Sequence, residues 1–221
     1  MNQETLKKLR LLIPGIITIL IGYYYQSLLL AKPMKTVEFK DFSYPLIAAI
    51  CIGVYFYLSN IRFLVTNYSH KKIDLNIKNH IISLYTGRLS DDDKQYLYQK
   101  NRLKDIFYNI VDNDESLKNK SKNVYFNGLI WTSTADLFII SLFSSLTFIV
   151  SAFIFSNVKS ELLFGGLFLI LVAMISLGLH VVAFFKHINL SNEQISYIET
   201  SQINRVDELI NIALKQKNGA N

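Results

Sequence analysis

The chain has 221 residues, 51% of them hydrophobic and 18% charged, against the roughly one quarter charged that is usual for a soluble domain. Charge is missing from long continuous runs rather than thinned evenly, which excludes an ordinary soluble domain and indicates membrane segments. Lys and Arg number 23 against 17 Asp and Glu, a net charge of +6, and in this setting such an excess reflects topology and anionic headgroups, so nucleic-acid binding is not expected.

The first apolar run, residues 11–31, follows Lys7, Lys8 and Arg10. No small-x-small cleavage site follows it, so it reads as a retained span and not as a removed signal peptide. Gly15, Thr18, Gly22 and Gln26 recur along it at helical spacing, a face that permits close approach of another helix, and Gln26 calls for a polar partner. The second run, 45–65, holds Cys51, which as the single cysteine excludes an intrachain disulfide and a thiolate metal cluster. Ala49, Gly53 and Asn60 align on one of its faces. The connection 32–44 is short, so the two runs should form an antiparallel hairpin.

Segment 66–133 reads as a helical insert. Ile73, Ile77, Ile81, Leu84 and Tyr85 follow a period near 3.6, with the alternation Ile73, Leu75, Ile77 leaving a short strand as an alternative, and Gly87 offers a stop. Ser90 followed by Asp91, Asp92 and Asp93 is a helix start, a cap with acids at the positive end of the dipole. Tyr96, Leu97, Leu103, Ile106, Phe107 and Ile110 then trace one stripe to Val111, making the second arm of a helical hairpin. The run 112–115 lacks the glycine and terminal glutamate of a calcium loop and reads as an acidic turn. Residues 116–130, with Lys118, Lys120 and Lys122 before Tyr125 and Phe126, could lie along headgroups.

The third run, about 137–155, has two sides. Leu142, Phe143, Leu146, Ile149, Val150 and Phe153 fill one, and Thr134, Ser141, Ser144, Ser145, Thr147 and Ser151 fall on the other. A hydroxyl stripe of this kind is either a helix-packing face or the lining of a water path. Asp136 fits an intramembrane carboxylate, but Ser133-Thr-Ala-Asp136 also fits a capping box in front of an apolar run, with Trp131 as an interfacial aromatic, and the cap is the preferred reading. The fourth run, 162–185, places Gly166, Ala173, Ser176 and His180 on one face. His180 falls near the boundary marked by Lys186, as an interfacial histidine or, less simply, a buried proton-sensitive group. The tail, 186–221, has a further cap at Ser191 to Gln194. Ile203, Val206, Ile210 and Ala213 then recur at heptad spacing, enough to dock on the central hairpin, on a sister subunit or on a partner.

Four spans of about 20 residues, in segments 1–65 and 134–185, predict an all-α integral membrane protein with a cytoplasmic helical hairpin and a C-terminal amphipathic helix. An even count puts both termini and the insert on one side. Lys7, Lys8, Arg10, Arg62, Lys71, Lys72, Lys118, Lys120, Lys122 and Lys186 lie on that side against Lys32, Lys35, Lys40 and Lys159 on the other, so it should be the cytoplasmic side of the inner (plasma) membrane. The sequence holds no phosphate loop, HExxH, GxSxG, CxxC or dinucleotide fingerprint, and no cofactor, metal or enzymatic activity is expected. The expected function is a homo-oligomeric channel or membrane-permeabilising effector controlled by its cytoplasmic helices, as in bacterial defence. The alternative is an anchor or sensor subunit that recruits a soluble partner.

Overall fold

A computed structural model describes residues 3–30 and 43–219, so the first outer connection, with Lys32, Lys35 and Lys40, lies outside the described residues. The described elements are all helical: α1 (Gln3–Leu29), α2 (Ser43–Leu58), α3 (Phe63–Ser83), α4 (Asp91–Tyr98), α5 (Arg102–Asn113), α6 (Glu115–Ile154), α7 (Lys159–Ser201) and α8 (Ile203–Gly219). No strand occurs among them, and the short strand allowed around Ile73 to Ile77 is helix. Glu4–Leu29, Glu115–Ile154 and Ser156–Ser201 are long and apolar enough to cross a membrane, and a fourth span results if α2 and α3 are taken as one bent element. Uncharged sequence of this length becomes helix because, away from water, every backbone N–H and C=O must bond within the segment.

The second expected span is not one straight helix. α2 stops at Leu58, α3 starts at Phe63, and the two are bent by 55°. Asn60 lies in the break with φ 55°, a left-handed conformation that Asn tolerates better than a branched side chain. It is a turn residue and not part of a packing face with Ala49 and Gly53. The ladder resumes through Phe63 N–H to Asn60 O at 2.9 Å and Leu64 N–H to Ile61 O at 3.0 Å.

The chain divides into two compact units. The first comprises residues 1–67 and 128–183. Here α1 and α2 approach so closely that a Cβ on Gly15 would overlap the backbone of Ala49, and one on Gly53 the carbonyl of Leu11. Gly22 instead faces open space, and Gln26 is exposed without the expected helix partner. A second cluster centres on buried Phe148, which packs on Tyr24 and Tyr25 with ring centroids 5.6 and 4.9 Å away, and on Ala152, Leu162 and Leu169. Leu142, Phe143, Leu146, Val150 and Phe153 point outward.

The second unit comprises residues 68–127 and 184–221. Ile77, Ile81, Leu97, Leu103, Phe107, Ile110, Leu117 and Ile198 are buried in its core. The Ser90 capping box forms: Asp93 N–H donates to Ser90 Oγ at 3.1 Å, and Ser90 N–H to Asp93 Oδ2 at 3.3 Å. The arm expected to run unbroken to Val111 is interrupted at Lys100 and Asn101, with φ 49° and 61°. The acidic turn is a helix start, where Leu117 N–H donates to Asp114 Oδ1 at 2.9 Å. Residues 116–130 are therefore early turns of α6, with Leu117 and Ser121 buried, and do not form a separate surface helix.

The expected cap at Ser191 does not form. α7 runs through it to Ser201, Ser191 Oγ donates back to His187 O at 3.0 Å, and Gln194 is buried with its Nε2 on Ser121 Oγ at 2.8 Å. A helix already under way supplies the preceding carbonyls, so the serine bonds backwards instead of capping. The break comes at Gln202, and α8 then docks on α4 and α5 of its own chain. Val206 and Ile210 are fully buried there, and Ile203 and Ala213 half-buried. Lys217 Nζ closes the far end, 2.5 Å from Asp92 Oδ2 and 2.6 Å from Asp93 Oδ1, while Asp207 accepts from Thr86 N–H at 2.9 Å.

Two outcomes follow. Gly53→Val should lower the unfolding temperature in detergent markedly, at a cost of about 1–3 kcal/mol or more for overpacking against backbone, whereas Gly22→Ala should leave it unchanged. Hydrogen bonds from Lys217 and Ser90 draw the Asp93 carboxyl down to about 2, and those to Asp92 and Asp93 raise Lys217 above its ordinary value. A depressed acid stabilises above its unfolded value and loses that contribution as pH falls to the folded one, while the raised Lys217 contributes fully until alkaline pH. Protection of α8 amides, taken as exchange relative to the intrinsic rate at each pH, should thus hold across neutral pH and fall between about 4 and 2, and Lys217→Met should flatten that dependence.

Candidate functional site

Three charges stand at the edges of apolar runs: Arg10 directly before Leu11, Asp136 directly before Leu137, and Arg62 near the end of the second run. Isolated in apolar surroundings, each would be costly, and such residues pair with one another. They do so here. Arg62 Nε donates to Asp136 Oδ1 at 2.8 Å and Nη2 to Oδ2 at 2.6 Å, a bidentate fork on a carboxylate with no exposed surface. Nη2 also donates to the backbone carbonyl of Arg10 at 3.1 Å. The Arg62 carbonyl in turn accepts from Thr66 N–H at 3.1 Å and from Thr66 Oγ1 at 3.2 Å. Helices α1, α3 and α6 are thus joined at the break between α2 and α3.

Asp136 is not a helix cap. α6 begins at Glu115, so Ser133 and Asp136 lie in its interior, and Ser133 Oγ is buried without a hydrogen-bond partner instead of accepting from a first-turn amide. His180 on α7 is buried against α6. Its Nδ1 donates to Trp131 O at 3.0 Å, which fixes that tautomer, and its ring stacks on Trp131 with centroids 5.9 Å apart. Trp131, expected among headgroups, is buried as well. Ser176 Oγ donates to Thr134 O at 2.7 Å, so the face of Ala173, Ser176 and His180 on α7 meets α6.

The hydroxyl stripe on α6 divides. Ser141, Ser145 and Ser151 are buried, Thr134 and Ser144 half-buried, and Thr147 exposed. Ser145 bonds back to Leu142 O at 2.8 Å, Thr147 to Phe143 O at 3.2 Å and Thr134 to Ile130 O at 3.0 Å, while Ser151 Oγ meets Tyr25 OH at 2.6 Å. The six span so wide an arc that neighbouring helices cover only part of it. Among the described residues no three His, Cys, Asp or Glu side chains converge to hold a metal ion.

The pairing of Arg62 with Asp136 was not read from the sequence. Its signal was there in the position of each charge at the edge of a separate apolar run. Removing one partner, as in Asp136→Ala or Arg62→Ala, should cost about 3–5 kcal/mol because the other charge is left buried and uncompensated. The double variant Arg62→Leu with Asp136→Leu should unfold later than either single variant in detergent melts, and an additive loss would refute the pairing. No family model, curated protein or solved structure matches this chain, so its function is read from this geometry.

Proposed function

We propose that the chain is a multi-pass protein of the inner (plasma) membrane that crosses it four times, with both termini and the helical second unit in the cytoplasm. It serves there as an anchor or sensor subunit for a soluble protein partner. The carrying observation is the division of α6. Ser141, Ser145 and Ser151 are enclosed in the chain's own bundle, and the outward face of Leu142, Phe143, Leu146, Val150 and Phe153 suits lipid better than water. The second unit has its own core and still exposes Leu75, Tyr108, Phe126 and Ile212, apolar groups of the kind a protein partner covers. The Lys and Arg balance supports the orientation. The tail stripe is satisfied within the chain, so partner capture falls to those exposed groups and not to Val206 and Ile210.

A second reading, the homo-oligomeric channel or membrane-permeabilising effector of bacterial defence, is favoured by one observation. Thr147 is exposed and Ser144 half-exposed on an otherwise apolar face, where copies of the chain could together line a wet path.

Reporter fusions at Asn221 and Ser90 should report cytoplasm, and at Lys35 the far side. A far-side signal at Ser90 ends the four-span reading. Cysteines placed at Ser144 and Thr147 in a Cys51→Ser background should resist aqueous thiol reagents, since lipid supports neither water nor thiolate. Rapid labelling there, together with conductance of the purified protein in planar bilayers, would favour the channel over the anchor.

A further inference from the structure

We infer that Gln202 is a hinge at which α7 and α8 join into one helix, and that the α8 of one copy of this chain then seats in the α4–α5 groove of a second copy. The inference concerns the second unit alone and stands apart from the anchor reading. Its first ground is a helix break without a breaker. Residues 186–218 contain neither glycine nor proline, and Gln202 is not in the left-handed region, yet α7 stops at Ser201 and α8 starts at Ile203. Sharp breaks ordinarily have such a local cause. Here the cause is tertiary: Gln202 Nε2 donates to Asp114 Oδ2 at 2.9 Å, while the other oxygen of Asp114 accepts from Leu117 N–H at the start of α6. Backbone bonds run up to the break and away from it, Gln202 N–H to Ile198 O at 2.8 Å and Val206 N–H to Gln202 O at 3.2 Å.

The second ground is phase. Along one straight helix, Ile195, Ile198, Val206, Ile210 and Ala213 share an arc of about 120°. A single apolar stripe therefore crosses the break, with Gln202 as its polar member. The third ground is what joining uncovers. Straightening lifts α8 off α4 and α5 and bares two surfaces at once, the stripe of Val206 and Ile210 and the groove in which both are buried. A foreign helix covers only one of them. Reciprocal exchange of α8 between two copies covers both. The polar fastenings transfer with the helix, because α8 makes each through a side chain: Lys217 to Asp92 and Asp93, Asp207 to Thr86, and Asn211 to the Tyr85 hydroxyl. Exchange of an identical element thus costs the hinge bond and the entropy of association, and little else.

The experiment uses the full chain in detergent, with its mass followed by native mass spectrometry over a range of protein concentration. A dimer should grow in with concentration. Gln202→Ala removes the bond to Asp114 and should strengthen dimerisation about fivefold. Ile203→Pro puts proline at the first position of α8, which the bent form tolerates and a joined helix does not, and should leave only monomer. Circular dichroism checks that both variants stay helical. A second measurement needs neither of them. Chains carrying Thr86→Cys and chains carrying Asp207→Cys, each in a Cys51→Ser background, are mixed and mildly oxidised. Because these two positions touch when α8 is seated, a disulfide should form between copies. A dimer that survives Ile203→Pro is held by other surfaces and overturns the proposal, as does a mixture that forms no disulfide between copies. Ready thiol labelling of Ile210→Cys in a chain that stays monomeric overturns the second copy as occupant and indicates a groove open to a different protein.

Discussion

An apolar environment leaves a polar group nowhere to go except to another polar group of the same chain, and the arrangement around Arg62 is the strongest expression of that constraint here. The break at Ser59 to Arg62 interrupts a helical ladder, and the guanidinium one residue before α3 crosses to Asp136 on α6 and to the Arg10 carbonyl on α1. Desolvating two charges is repaid only when geometry is good and the remaining donors are used. Here the fork is bidentate and Nη2 serves a second acceptor. The left-handed turn at Asn60 sets where α3 begins, and hence which residue presents the guanidinium.

Much of the architecture was legible because it depends on long, repetitive signals. The apolar runs, the buried face of Ala173, Ser176 and His180, and the tail stripe of Val206 and Ile210 all emerge from periodicity summed over many residues. The Ser90 cap was legible for a different reason: α3 had already ended at Ser83, so the motif stood alone. The two failures, Ser133 with Asp136 and Ser191 with Gln194, carry equally good local grammar inside helices that had not ended. A serine three residues before an acid or amide caps a helix only when its own amide is free, and that depends on residues a turn earlier. The break in the second apolar run was missed on the same logic, because Asn60 reads as a polar member of a face until the reversal at φ 55° is seen.

The hydroxyls of α6 show why composition alone could not choose between packing and conduction. A serine that bonds back to the preceding turn, as Ser145 does, satisfies itself and can face either a neighbouring helix or water at little cost. What decides is the neighbour. Tyr25 closes over Ser151 through a hydroxyl contact and packs its ring on Phe148, whereas Thr147 has no such cover. Tyr25 belongs to a helix far away in sequence, so no reading of the third run by itself could have divided the stripe.

The two units solve the same problem with different chemistry, and this bears on what each can do. In the first, close approach rests on glycines set against backbone, a contact with no adjustable side chain, so α1 and α2 are held by shape. In the second, α8 is held at its ends by side chains that can let go: Lys217 on Asp92 and Asp93, Asp207 on Thr86, with the fully buried Val206 and Ile210 between them. Exposed ion pairs of this kind contribute little individually and are screened by salt, so the apolar pair carries most of the docking and the charges set its register. An element anchored in this way is easier to displace than one locked by glycine contacts. If the chain responds to a soluble partner, the responsive element therefore belongs among the helices of the second unit, with the glycine-packed bundle as the fixed part.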